Sequence, residues 1–352
     1  MKAQHRNTNA DMALFKELQQ KVNEELQRYR YNFRFHVSTK LAVYLGSSAT
    51  LYYLLYQQQR PLWFVTVYVF YGLATLLFAF NFSHDFSHNT VFKNKWLNNF
   101  CFTAIYTLVG AHAQAWKHRH IHSHHHAPNV EAYDSDLQIT SLIRVTPGSK
   151  RNAYHALQAF YAPFLYTTYS LYWVFIKDLV LLYRTTEIPL KNTFRYHVSF
   201  WFQKLVYIVI TLVLPYYFSG QPLGVIVCGF IVMHMVQSLF LLFTFFMTHH
   251  VEGSAYPTTA EDGSITCSWL MNQIKSTNDM HPFSKTANYI LGGFNNHIAH
   301  HLFPHIHHAY YPKISKTIYP ILVKHGIQPN STSYVGGIVS HLKHLHTLSK
   351  KK

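Results

Sequence analysis

Residues 223–252 read LGVIVCGFIVMHMVQSLFLLFTFFMTHHVE, a run that carries no acid, lysine or arginine before Glu252. A bilayer core takes about 20 mostly apolar residues in a helix, so the run predicts a membrane span. Its apolar part, roughly 223–247, ends against His249 and His250, at the edge where such a helix leaves the hydrocarbon. Working outward, three more stretches meet the same length rule, roughly 37–56, 61–82 and 199–218. Short turns, QQQRP at 57–61 and SGQP at 219–222, join the four stretches in pairs. The expected fold is all-α: four transmembrane helices in two hairpins, with a cytoplasmic helical cap made of residues 83–198 and 248–352. Residues 1–36 form a separate cytoplasmic amphipathic segment, and 37–352 form the membrane domain.

Composition agrees. Of the 352 residues, 49% are hydrophobic and only 12% are charged, which excludes an ordinary soluble globule and a disordered chain. Aromatics reach 17%, which suits rings seated at headgroup level. The 27 histidines outnumber the 14 acids and occur in clusters, which points to metal chemistry. Three cysteines, at 101, 228 and 267, form no CxxC, so neither disulfides nor thiolate zinc sites are expected and any metal is held by nitrogen.

Cytoplasmic flanks collect Lys and Arg. With both termini inside, 28 of the 30 cations and all 14 acids fall on the inner side; only Arg60 lies outside, and Lys204 sits within a span near its inner end, where it can snorkel. The formal net charge of +16 therefore suits anionic membrane lipids or an acidic protein partner, and not nucleic acid. No secretory leader is expected in the first 36 residues. Leu14, Leu18, Val22 and Leu26 make a helical stripe that lies on a membrane surface or on the protein itself. Residues 97–115 and 152–176 are uncharged or nearly so but polar, and a crossing by either would separate the histidine clusters. Both are expected to be interfacial or re-entrant helices.

The clusters are His84-Asp85-Phe86-Ser87-His88, the run from His118 to His126, His249-His250, and Asn295-Asn296-His297-Ile298-Ala299-His300-His301. Residues three and four apart share a helix face, so His84 with His88, His120 with His124 and the adjoining His125, and His297 with His300 and His301 can each present imidazoles to one point. Imidazole suits iron, zinc, copper and nickel alike. Eight or nine such ligands are about twice what one tetrahedral zinc takes, which implies two metals with open positions. A nitrogen-rich pair of metals at the mouth of a membrane bundle suits dioxygen activation against a lipid chain. Asp85, Asp134, Asp136, Asp178 and Glu252 lie near the clusters in sequence and are candidates to accept the second ring N–H of a ligand.

These residues resemble the integral-membrane fatty acid desaturases, nearest to the bacterial acyl-CoA or acyl-lipid enzymes of the linoleoyl-CoA desaturase type. HDFSH at 84–88 is similar to the family's first histidine box; Trp116, His120, His124-His125, Asn129 and Asp134-Ser135-Asp136 to its second. His249 with Glu252 and Tyr256-Pro257 resembles a single histidine between boxes. Trp269, Asn272-Gln273-Ile274-Lys275, Gly292-Gly293-Phe294-Asn295 and His300-His301-Leu302-Phe303-Pro304-His305 resemble the last box and its approach. The resemblance implies a di-iron site of His84, His88, His120, His124, His125, His249, His297, His300 and His301, with O2 as co-substrate. Members that desaturate between an existing double bond and the carboxyl end usually carry Gln where this chain has His297. The second box also holds His118, His122 and His126, which opens a competing register, His122, His125 and His126. No His-Pro-Gly-Gly haem motif occurs in the chain, so electrons are expected from a separate ferredoxin or cytochrome b type donor.

The expected function is O2-dependent desaturation of a lipid acyl chain, carried as acyl-CoA or acyl-lipid, in a multi-pass protein of the bacterial inner membrane. A di-iron lipid hydroxylase or ketolase is the alternative. A zinc-dependent membrane hydrolase would leave most of the histidines unexplained, and a metal transporter would need mid-span ligands where only His234 lies.

Overall fold

The computed structural model describes residues 4–28, 33–137, 140–184, 188 and 191–350. The parts of the expected N-terminal segment and cap at 1–3, 29–32, 138–139, 185–187, 189–190 and 351–352 lie outside them. The described chain is mostly helical, and its one pair of strands, Asp279–Met280 with Ser331–Thr332, is parallel and only two residues long. Backbone contacts divide it into two compact units.

One unit comprises Asn32–Lys117 and Pro163–Leu242. Among the described residues, three helices are long and apolar enough to cross a membrane: Pro61–Ser87, Phe194–Phe218 and Leu223–His249, the last continuing into the other unit. The fourth expected span forms as the helix Phe33–Tyr56, but Lys40, Ser47 and Ser48 leave it less apolar than the other three. Pro61 starts its helix at a position where a missing N–H costs nothing. The two hairpin turns lie side by side, because the Gln221 amide donates to the carbonyls of Gln58 at 2.8 Å and Gln59 at 3.0 Å. Leu55, Phe64, Tyr68, Tyr207, Ile226 and Phe230 make up most of the core between these helices. Tyr52 donates to the Ile210 carbonyl at 2.8 Å, tying Phe33–Tyr56 into the bundle.

The expected interfacial stretch 97–115 is a helical hairpin, Lys95–Leu108 and Ala113–Arg119, with a tip at Val109 to His112. Asn94 caps its first helix by accepting from Trp96 N at 2.8 Å. The tip is buried, so its backbone groups need partners. Lys204 donates to Gly110 O at 2.7 Å and to Asp178 Oδ2 at 2.6 Å; Asp178 accepts from His112 N at 2.7 Å; Gln203 accepts from Ala113 N at 3.1 Å. Lys204 therefore does not snorkel outward; it closes the tip of a neighbouring hairpin. Gly110 has φ +80°, and a Cβ there would strike the Tyr207 ring.

The other unit comprises Met1–Tyr31, His118–Ala162 and Phe243–Lys352. The amphipathic helix Asn9–Arg28 buries Leu14, Leu18 and Val22 against Leu270, Ile274, Ile298, Leu302 and Ile318, so its stripe packs on the protein. The division cuts across the expected cap, since the hairpin at 95–117 and the helices from Tyr169 to Arg184 belong with the apolar helices.

Candidate metal centre

Seven of the nine expected ligands lie in the unit that holds the last box, and they form two groups. His124, His249, His297 and His301, all buried, bring one ring nitrogen each within 4.8 Å of one another. His120, His125 and His300 do the same. The groups adjoin, with the His125 and His301 rings 4.6 Å apart. His84 and His88 belong to the unit of apolar helices, where their rings meet edge to face at 5.0 Å. Burial, aided by Lys117, pushes the His88 pKa down to about 3.

Two local features of the backbone explain the sorting. Residues His120–His124 form a π-helical turn, closed by His125 N donating to His120 O at 3.0 Å. The wider turn sets residues five apart on one face, so His120 and His125 approach Nε2 to Nε2 at 3.1 Å and His124 goes to the other group. An α-helical turn, as the spacing alone predicts, would put His120 and His124 at one point instead. A second π turn, Ala79–Ser83, precedes His84. In the helix His297–Leu302, His297 and His301 share a face and His300 turns to His120 and His125. The first turn of that helix is held by Asp279, whose carboxylate accepts from Ile298 N at 2.8 Å and from the Tyr319 hydroxyl at 2.9 Å. Burial raises the Asp279 pKa to about 7 against the pull of those donors.

Hydrogen bonds on the outer nitrogens decide which atoms face inward. His249 Nδ1 donates to Ser276 O at 2.9 Å, His301 Nδ1 to Gln273 Oε1 at 2.8 Å, and His124 Nδ1 to Asp134 Oδ2 at 3.0 Å. His300 Nδ1 shares a hydrogen bond with the Tyr311 hydroxyl at 3.2 Å. With the proton placed on Nδ1 by these partners, Nε2 carries a lone pair. The Nε2 atoms of His249 and His301 both aim at His297 Nε2, at 2.7 and 3.1 Å. Four buried ring nitrogens from His124, His249, His297 and His301 meeting within 4.8 Å suit a shared cation, so the donor set fits a bound metal. Burial and the surrounding imidazoles hold His301 well below the ordinary histidine pKa, in the neutral state a ligand needs. Burial also lowers His124, but the charge and hydrogen bond of Asp134 outweigh it and the net shift is upward.

Among the candidate acids, Asp134 is bonded to a ligand ring, that of His124. Its other oxygen accepts from Asp136 N at 3.0 Å, and Asp136 pairs with Arg119 at 3.1 Å. Asp178 serves the hairpin tip instead, Glu252 is exposed beside Ser340 on the last helix, and Asp85 accepts from the Thr90 hydroxyl at 3.1 Å. Of the extra histidines, His122 is exposed with its ring 4.9 Å from that of His118, and His126 meets the His5 ring at 5.6 Å. Sequence reasoning missed Gln273, Ser276, Asp279 and Tyr311. Gln273 had a signal, its place in the approach to the last box; a backbone carbonyl such as Ser276 O has none. Asn129, which belongs to the second box, ties that box to its neighbours. At φ 60° in the left-handed region, it donates to His249 O at 3.0 Å and Ser276 O at 3.3 Å, lacing the second box to the lone histidine.

A family model described as "Fatty acid desaturase" matches residues 61–333. The chain is 30% identical over 279 residues to an acyl-lipid (8-3)-desaturase of Physcomitrium patens, covering 76% of this chain and 57% of that protein. It is 28% identical over 309 residues to acyl-lipid (8-3)-desaturase B of Dictyostelium discoideum, covering 82% and 65%. It is 26% identical over 237 residues to an sn-1 linoleoyl-lipid 6-desaturase of Arthrospira platensis, covering 66% and 63%. The chain thus spans between 57% and 65% of the length of these relatives.

Proposed function

This chain belongs to the fatty acid desaturase family, and on that premise we propose that it is an O2-dependent desaturase that introduces a cis double bond into a lipid acyl chain. The observation that carries the reading is the convergence of imidazole nitrogens in two adjoining groups. Seven buried or half-buried nitrogens are too many for one tetrahedral zinc and suit a pair of metals. We assign iron to both, with His84 and His88 joining the seven on the strength of the HDFSH motif. The names of the relatives favour an acyl-lipid carrier over a coenzyme A thioester.

Two irons held by these histidines would supply, with O2, two electrons from a separate donor and two protons, the oxidising power that takes one hydrogen from each of two neighbouring methylenes, both oxygen atoms leaving as water. The chain's own residues prepare for that chemistry. Gln273, Ser276 and Asp134 hold the imidazoles in one tautomer and orientation, so no rearrangement is needed when metal arrives. Burial of His124, His249, His297, His300 and His301 keeps bulk water from the reacting carbons. An unfunctionalised chain offers no polar handle, so its orientation falls to apolar walls.

The membrane arrangement is part of the proposal: four spans, both termini cytoplasmic, in a bacterial inner membrane. The adjacency of the two hairpin turns through Gln221 supports it, because Phe33–Tyr56 then runs alongside the three apolar helices. The bias of 28 of 30 cations to one side supports it as well. Expression in a host with a simple lipid profile, followed by mass spectrometry of double-bond positions, tests the activity. New unsaturated acyl chains are the expected result. A hydroxylated or unchanged profile, with the protein present and iron loaded, overturns it.

A further inference from the structure

The last helix, Tyr334–Ser349, places His344 against the ring of Tyr256, which in turn lies against His250, the neighbour of the ligand His249. The rings form a ladder: His249 to His250 at 6.3 Å between centroids, His250 to Tyr256 at 6.0 Å and nearly parallel, Tyr256 to His344 at 5.5 Å and parallel within 7°. Hydrogen bonds run along the outer rungs. His344 Nε2 lies 2.9 Å from Val145 O, which fixes a proton on that nitrogen, and 2.9 Å from the Tyr256 hydroxyl. The hydroxyl therefore accepts from His344 and donates to His250 Nδ1 at 3.0 Å. Tyr256 is thus tied at both faces and through its oxygen, which is more than packing requires.

The outer end of the ladder opens on a basic surface. His344 is half-buried, and Lys343 and His346 on the same helix are exposed, as are Lys350 just past its end and Lys150. Arg144 donates to Leu348 O at 2.9 Å and Arg151 to Ser349 O at 2.7 Å, so two more cations gather where the helix ends and its dipole is negative. Two acids lie near the ladder, Glu252 beside Ser340 and Glu131, which accepts from the Thr146 hydroxyl, and the five cations Lys150, Lys343, Lys350, Arg144 and Arg151 outnumber them.

We propose that this surface docks an acidic one-electron carrier, an iron–sulfur or haem protein, and that electrons pass from it through His344, Tyr256 and His250 to the metal centre. The inference rests on the iron assignment above. In each passage the carrier loses one electron and one ferric ion becomes ferrous; no bond forms or breaks, and the tyrosine hydrogen stays on its bridge to His250. Charge complementarity sets the encounter rate and the ring ladder sets the transfer rate.

Anaerobic stopped-flow reduction of the iron-loaded protein in detergent, with a plant-type [2Fe–2S] ferredoxin or with dithionite as reductant, separates the parts. Iron content of each variant is measured beforehand. Lys343→Glu with Lys350→Glu is expected to lower the second-order rate with ferredoxin by about tenfold or more and to flatten its salt dependence, leaving dithionite reduction unchanged. Tyr256→Leu is expected to lower the limiting rate at saturating ferredoxin, with Tyr256→Phe between it and the native chain, because Phe keeps the ring and loses the bridge. Equal ferredoxin rates in the surface variant and the native chain overturn the docking site. A surface variant that loses only its binding to anionic vesicles assigns the patch to membrane lipid and also overturns it. Unchanged limiting rates in both tyrosine variants overturn the route. Dithionite-driven desaturation, if it proceeds while these effects are absent, shows that the route has failed and the activity reading has not.

Discussion

The Nδ1 of His301 lies 2.8 Å from the side-chain oxygen of Gln273, so a neutral amide on one helix decides which nitrogen of a histidine on another is left to bind metal. Gln273→Leu removes that acceptor without adding charge. Metal affinity is expected to fall by about 10- to 100-fold, the usual cost of losing an outer partner of a ligand histidine. Competition with a chelator of known affinity measures it; unchanged affinity would show that the amide only fills space.

The π turn makes a sharp distinction within the crowded second box. His120→Ala and His124→Ala are each expected to lose bound metal and activity, while exposed His122→Ala keeps both. Elemental analysis of each purified variant reads this directly. Loss of metal in His122→Ala with retention in His120→Ala would move the ligand set to the competing register.

Lys204 and Asp178 close the hairpin that leads into that box. Lys204→Met strands a buried carboxylate and is expected to cost about 3–5 kcal/mol. Lys204→Met with Asp178→Asn, which removes both charges, should recover part of the loss. Unfolding in detergent micelles compares the three proteins, and native-like stability of the single variant would mean the pair contributes nothing.

Both hairpin turns should face away from the cytoplasm. A reporter fused at Gly220 is expected to read as external, and reporters at the two termini as internal. An internal signal at Gly220 would remove the two-hairpin topology and, with it, the assignment of the cations to one face.

What the sequence made legible follows from which interactions are local. Apolar runs over 61–82, 199–218 and 223–247 declare themselves, and three long apolar helices occupy those stretches. Phe33–Tyr56 was harder to judge, because a helix can be read from its length while its tolerance of Lys40 depends on neighbours. The N-terminal stripe had two outlets, membrane or protein, and only the presence of Leu270, Ile298 and Ile318 beside it decides.

At the metal centre the histidine spacing showed that ligands gather, and not how they divide. The periodicity used for His120, His124 and His125 was that of an α-helix, and an inserted π turn changes the phase by a residue without leaving a mark in composition. Asp134 was accessible because it follows its ligand by ten residues in a recognisable box. Asp178 is drawn to a hairpin tip whose unpaired backbone groups no side-chain pattern reveals. Gln273, Tyr311 and the Ser276 carbonyl are set by tertiary packing alone.

The central claim is that these histidines hold two irons. Quantitative metal analysis of the purified protein, with Mössbauer spectroscopy on material grown with 57Fe, tests it most directly. The expected result is two irons per chain in nitrogen-rich, magnetically coupled sites, lost together in His301→Ala. A single zinc per chain, with no iron taken up on reconstitution, would contradict it.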